Sequence, residues 1–284
     1  MSNRRLVVGH TGILWMKHED VEGGIKIISE NGFNYIELFA WTLKTFHDEG
    51  RKEICKEYNI PLISSYYSID IVDPAKRAEE MAKLSEWTDI ITGMGGKFAT
   101  FGGNSVPRKG FNFNEHKKYT VDFVNEAAKI MQGKGMQLNF HPHTGTPVET
   151  EEEIRSFMDA IDTKYVGFAP DIGQIQKGGA DPVQITKDYL SIIKLVHFKD
   201  YCGKVKFDDE GKEIDQSGFV CYSPLGQGVV DLAGILDILE NYKDFNGPIM
   251  VELDGTDHQP ISSEEAVKIN RAYLENLGYS FVKR

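Results

Sequence analysis

Eight short apolar runs recur along this 284-residue chain, at 6–9, 35–38, 62–66, 98–101, 136–140, 165–169, 192–196 and 248–251. Runs of this length, with little polar alternation, read as strands buried on both faces, the pattern of a parallel sheet. Parallel strands need crossovers, and the intervening segments supply them. Residues 21–30, 51–58, 74–94 and 115–132 carry apolar side chains at three- and four-residue spacing, the period of a helix with one buried face. Helix starts are punctuated accordingly: Asp73-Pro74 and Asp181-Pro182 each set a capping aspartate before a proline at the first helical position, and Thr150 is followed by Glu151, Glu152 and Glu153. Eight strand–helix units with no composition break predict one domain over residues 1–284, a closed (β/α)8 TIM barrel, with an open doubly wound sheet as the competing arrangement.

Lysine and arginine number 32 against 43 aspartates and glutamates, a formal net charge of −11. A protein that gains affinity by neutralising phosphates would have to work against that field, so nucleic acid is not the expected partner. No apolar run reaches 18 residues and the first residues lack a signal-peptide core, so neither membrane nor export is expected. Three cysteines, Cys55, Cys202 and Cys221, show no metal-type spacing and suit the reducing cytoplasm. One connection is long, about 198–229, and polar around 204–212. It follows the seventh strand, so it is expected to lie over the barrel mouth, as a hairpin-like lid, as a contact between copies in a homo-oligomer, or as a passive surface insertion.

Barrel enzymes keep their chemistry where strand C-termini converge. There the chain places Asn139-Phe140-His141-Pro142-His143 after the fifth strand, Asp171 after the sixth, His197 after the seventh and Glu252 after the eighth. Imidazoles and carboxylates together suit one divalent cation such as Mn²⁺, Co²⁺, Zn²⁺, Mg²⁺ or Fe²⁺. Alternation along an extended chain turns His141 and His143 to the same side, so the sequence leaves open which is the ligand; we assign His141. Asp171 also reads as the cap of the next helix. Lys199 shares the face of His197, and Asp200 is a candidate outer partner of that histidine. Glu37 ends the second strand, His10 the first, and Tyr66 follows the third; His10 and Tyr66 are expected to line the pocket with Gln174. Gly102-Gly103 after the fourth strand either lets a ligand approach the backbone or makes a turn.

The segments Ala169-Pro170-Asp171-Ile172-Gly173-Gln174, Leu195-Val196-His197-Phe198-Lys199-Asp200, Pro224-Leu225-Gly226-Gln227-Gly228 and Val251-Glu252-Leu253-Asp254 resemble the xylose isomerase-like sugar isomerase/epimerase superfamily. Within it, His141-Pro142-His143-Thr144-Gly145-Thr146 and Asn270-Arg271-Ala272-Tyr273-Leu274 are most similar to inosose (keto-inositol) dehydratases. The resemblance implies one divalent metal, Mn²⁺ first, held by His141, Asp171, His197 and Glu252. It implies a small carbohydrate or cyclitol substrate. His141 stands where the epimerase branch has a glutamate, so the formal charge of cation plus ligands is zero rather than −1, and Gln174 stands where many relatives have a histidine. His143 is then the expected base, with Lys199 or Glu37 as acid or enolate stabiliser. The expected reaction is a dehydration through a metal-stabilised enediolate. Isomerisation or epimerisation of a free ketose, and elimination of the aglycone from a 3-keto glycoside, share its first step. Abasic-site endonucleases share the fold, but the charge of −11 speaks against them.

Overall fold

A computed structural model describes residues 4–16, 18–203, 221–255 and 261–282. The strands are β1 (Val8–Thr11), β2 (Ile36–Phe39), β3 (Leu62–Ile69), β4 (Phe98–Gly103), β5 (Gln137–Phe140), β6 (Val166–Phe168), β7 (Val196–Phe198), β8 (Asp200–Tyr201), β9 (Tyr222–Ser223) and β10 (Ile249–Val251). The helices are α1 (His18–Glu30), α2 (Ala40–Asp48), α3 (Ile54–Glu57), α4 (Arg77–Gly93), α5 (Phe113–Gly133), α6 (Glu151–Met158), α7 (Ile172–Lys177), α8 (Pro182–Asp188), α9 (Leu232–Asn241) and α10 (Ser263–Asn276). Eight strands form one parallel sheet in the order β6-β5-β4-β3-β2-β1-β10-β7.

Its two ends meet. Phe168 and Asp171 at β6 bridge in parallel to Ile193 and His197 at β7, and the Lys194 and His197 amides donate to the carbonyls of Phe168 and Pro170, both at 3.0 Å. The sheet therefore closes into a barrel, and the open-sheet alternative is excluded. A small separate cluster of Ile63, Ala169, Leu195 and Met250, drawn from β3, β10 and the residues flanking β6 and β7, is buried with Tyr35 and Phe98 packed against it. The larger core lies between strands and helices and includes Leu38, Phe140, Phe157 and Leu236.

The capping signals act as read. Asp73 accepts from the Ala75 amide, Asp181 from the Val183 amide, and Thr150 with Glu153 closes a reciprocal capping box at α6. Two elements differ from expectation. The helix expected over 51–58 shortens to α3, because Gly50 (φ 76°) turns the chain before it and Asn59 (φ 54°) after it. The strand expected at 192–196 moves C-terminally: Leu190–Ile192 make a 3₁₀ turn, and β7 runs through His197. Helix α2, which we did not anticipate, follows β2 with no intervening loop and no side-chain cap.

The base of a hairpin is present in the long connection, where Asp200 pairs with Ser223 and Tyr201 with Tyr222 in antiparallel register. The expected lid itself, residues 204–220, lies outside the described residues. Among the described residues no helix is long and apolar enough to cross a membrane.

Candidate metal centre

The C-terminal strand ends gather His141, Asp171 and His197, all buried, with one ligand-type atom of each within 4.8 Å of the others. Each is aimed by its own local structure. The His141 ring sets Nδ1 3.1 Å from the Ala169 carbonyl; a donor there fixes the proton on Nδ1 and leaves a lone pair on Nε2. That Nε2 is buried, makes no hydrogen bond, and lies 3.8 Å from Asp171 Oδ2. Burial, reinforced by the neighbouring His197, holds the ring well below the usual histidine range, so it is neutral. Asp171 does both jobs the sequence offered: Oδ1 caps α7 by accepting from the Gly173 and Gln174 amides, both at 3.0 Å, which turns Oδ2 into the cluster.

Two glutamates flank His197. Its Nε2 is 2.8 Å from Glu37 Oε1, and its Nδ1 contacts Glu252 Oε2. Thr100 Oγ1 donates to the other oxygen of Glu37 at 2.7 Å. Behind these groups, Lys199 Nζ is fully buried, 2.8 Å from Asp171 Oδ2, 2.8 Å from Glu252 Oε1 and 2.7 Å from Asp254 Oδ1. Burial works to lower this lysine, but the three carboxylates outweigh it and raise it well above the ordinary value. Burial likewise raises Asp254 to about 8, while Glu252, despite burial, is pulled well below the carboxylate range by His197 and Lys199.

Four buried carboxylates, Glu37, Asp171, Glu252 and Asp254, face two cationic groups, the Lys199 ammonium and the His197 imidazole, which burial works to lower but Glu252 and Glu37 raise well above its ordinary value. The surplus of carboxylates, the unpartnered Nε2 of His141 and the mixed nitrogen and oxygen donors fit a divalent cation.

Above the cluster opens a cavity of about 700 Å³, its mouth included, lined by Glu37, His197 and Glu252 at the polar end with Tyr66, His143 and Thr146 on the wall. His143 is held there by two contacts. Its Nδ1 is 2.7 Å from the Thr144 carbonyl, and the Gln174 amide nitrogen is 2.7 Å from its Nε2. The same Gln174 amide donates to Asp254 at 3.1 Å, and its Oε1 accepts from the Thr144 hydroxyl at 2.5 Å. With the proton on Nδ1, the Nε2 lone pair of His143 is engaged by an amide N–H, which is poor geometry for the expected base. Burial and Lys199 lower the ring to about 3.

Other expected residues fall differently. Gln174 is a buried connector and is not part of the cavity lining. His10 is fully buried, packs edge-on to Phe33 and does not line the cavity, whereas its neighbour Thr11 does. Lys199, expected as an acid, is also absent from the lining. Asp200 serves the backbone rather than His197, accepting from the Gly226, Gly228 and Val230 amides. Gly102 is needed for space: a Cβ there would lie 2.3 Å from the Tyr66 hydroxyl. Asp254 was missed, although its spacing of two from Glu252 in an extended segment carried the signal.

A family model described as Xylose isomerase-like TIM barrel matches residues 25–277. The chain belongs to that family. Among curated proteins, it is 31% identical over 213 residues to an inosose dehydratase of Geobacillus kaustophilus, covering 70% of this chain and 69% of the relative. Among solved structures it superposes on the IOLI protein with a bound zinc atom at a TM-score of 0.76 and 16% identity, covering 98% of this chain and 100% of that one. It also superposes on the probable 3-DHS dehydratase AsbF of Bacillus anthracis at a TM-score of 0.73 and 16% identity, covering 95% and 99% of the two chains. At such identities the two superpositions establish the fold.

Proposed function

We propose that this protein is a divalent-metal-dependent lyase that removes water from a keto-cyclitol or keto sugar. The observation that carries this reading is the cluster of His141, Asp171 and His197, which reaches through His197 a cavity whose polar end also presents the Glu37 carboxylate. The similarity to an inosose dehydratase supports the same class. His141, Asp171, His197 and Glu252 would hold the cation, Mn²⁺ first, with Co²⁺, Zn²⁺, Mg²⁺ and Fe²⁺ also suited to two imidazoles and two carboxylates. When bound, such an ion supplies Lewis acidity towards a ketone oxygen.

The chain's own residues account for the proton. Glu37 faces the cavity, and the Thr100 hydroxyl and His197 orient its two oxygens. A carboxylate has about four acceptor sites, so these contacts leave it able to take a proton. Glu37 removes the proton from the carbon beside the ketone, the electron pair moves into the enolate, the carbon–oxygen bond at the β position breaks, and Glu37 returns the proton to the departing hydroxide. The products are an unsaturated ketone and water, with Glu37 again a carboxylate. His143, its Nε2 engaged by the Gln174 amide, shapes the cavity wall, and Lys199 positions Asp171 and Glu252.

The single domain, the 198–229 connection as an insertion over the mouth, a homo-oligomer and a cytoplasmic location with reduced thiols belong to the same reading. The test is proton NMR in D₂O of keto-inositols and free ketoses incubated with metal-loaded protein, after protein and metal are removed. Water loss is the expected result. Deuterium uptake with a new stereoisomer and no water loss would instead support an epimerase, a reading favoured by one observation, that Glu37 and Glu252 both face the cavity beside His197.

A further inference from the structure

The polar end accounts for only part of the cavity. Away from Glu37 and His197, the wall is built from Ile13, Met16, Leu38, Phe39 and Trp41. The Phe39 and Trp41 rings stack with centroids 4.1 Å apart and 13° between planes, and Tyr66 meets Phe39 edge-on at 5.7 Å. The platform follows from the backbone. Because β2 passes directly into α2, Phe39 is the last strand residue and Trp41 the second of the helix, so both stand at the mouth. Trp41 remains 36% and Met16 46% exposed, two of five large hydrophobic side chains left exposed among the described residues. Apolar side chains left in water and gathered on one rim mark a binding surface, whereas scattered ones carry no such meaning.

A cyclitol or free ketose presents hydroxyls around its edge and leaves this rim uncovered when its ring sits at the polar end. We infer that the rim is a second subsite, which takes a flat apolar group attached to the keto ring, such as an aryl aglycone. The inference rests on the reading that the polar end receives the ring. The wall and the polar end are continuous within one cavity, so a single ligand with a polar ring and an apolar substituent meets both.

Phenyl and methyl β-D-glucopyranosides share a ring, differ only in the aglycone, and lack the ketone, so they bind without elimination. Calorimetric titration of the Mg²⁺-loaded full chain should show the phenyl compound binding about tenfold more tightly, the equivalent of roughly 1.4 kcal/mol, at the upper end of aromatic contacts. Trp41→Ala should bring that ratio below about threefold. Met16→Ala, outside any helix or strand, repeats the test without disturbing α2, and melting curves establish that both variants fold. Equal affinities in wild type, no measurable binding of either compound, or a ratio retained in both variants would overturn the subsite. An equal loss for both glycosides in Trp41→Ala would also overturn it, because the tryptophan would then be stacking on the sugar ring. Water loss from keto-inositols is followed in parallel on wild type: its absence removes the reaction, while the aglycone preference stands or falls on the titration.

Discussion

Replacing Lys199 by methionine asks what holds the buried carboxylates together. The ammonium lies 2.7–2.8 Å from Asp171, Glu252 and Asp254 and is fully buried. Methionine retains much of the stem, which runs so close over Gly173 that a Cβ there would come within 2.8 Å of the lysine Cγ. The substitution therefore removes charge and little packing. Taking one partner from a buried ion pair costs about 3–5 kcal/mol. Burial holds Asp254 up at about 8 even beside the ammonium, so it is already largely protonated at neutral pH and adds little repulsion when the charge is removed; the lower end, about 3 kcal/mol, is therefore expected. At roughly 2 °C per kcal/mol for a chain of this size, the melting temperature should fall by about 6 °C in the presence of chelator. A divalent cation restores positive charge beside the same carboxylates, so the variant should gain more thermal stability from added Mg²⁺ than wild type does. Thermal denaturation with and without chelator measures both effects. A Lys199→Met protein that melts with wild type in chelator, yet has lost turnover, would refute the positioning role and return Lys199 to the role of acid.

Four further outcomes are expected. Glu37→Gln should reduce turnover by about 10²–10⁴ while bound metal, measured by atomic emission, is unchanged; if His143→Ala is the more damaging of the two, the base is His143. His141→Ala should abolish stoichiometric metal binding, because it deletes a buried imidazole nitrogen that makes no hydrogen bond and sits in the cluster with Asp171 and His197. Gly102→Ala should cost about 1–3 kcal/mol by overpacking, since its Cβ meets the Tyr66 hydroxyl at 2.3 Å, and adding Tyr66→Phe should recover part of the loss in a urea melt. Glu153 is partly buried, which would raise it, but the Thr150 and Glu149 amides and the Arg108 guanidinium hold it below the usual range. Its contribution is thus present above the ordinary glutamate value and lost as pH falls through the lower folded value. Glu153→Ala should therefore cost about 1–2 kcal/mol at neutral pH and converge on wild type in acid, and equal losses at both pH values would contradict this.

Strand positions were legible because a barrel strand is buried on both sides, and nothing but a nearly continuous apolar run survives there. Seven of the eight runs fall on observed strands and the run at 192–196 only reaches the first residue of β7; Thr150 and Asp181 cap α6 and α8, and Asp73 caps a 3₁₀ turn that leads into α4. Closure was not legible. It depends on the parallel bridges of Phe168 and Asp171 to Ile193 and His197, which are relations between segments rather than properties of either. Helix α2 escaped notice for a related reason. With no cap and no loop before it, the chain passes from strand to helix at Phe39 without the Ser, Thr, Asp or Asn that usually marks the change.

The candidate site was legible as far as chemistry and period reach. His141, Asp171, His197 and Glu252 stand at strand ends and are of ligand type, so position and residue class pointed the same way. Roles were harder, because they depend on which atom faces which neighbour. His143 and Lys199 have the chemistry of a base and an acid, but the Gln174 amide occupies the lone pair of one, and three carboxylates enclose the other. Glu37 was the least distinctive candidate in the sequence, a lone glutamate in an apolar strand. Only the fold reveals that Thr100 and His197 orient its two oxygens towards the cavity. A buried carboxylate is costly unless its partners are in place, and these partners come from strands 63 and 160 residues away in the chain. The cost of burying Glu37 is thus met by the same contacts that aim it, which is why we assign it the proton.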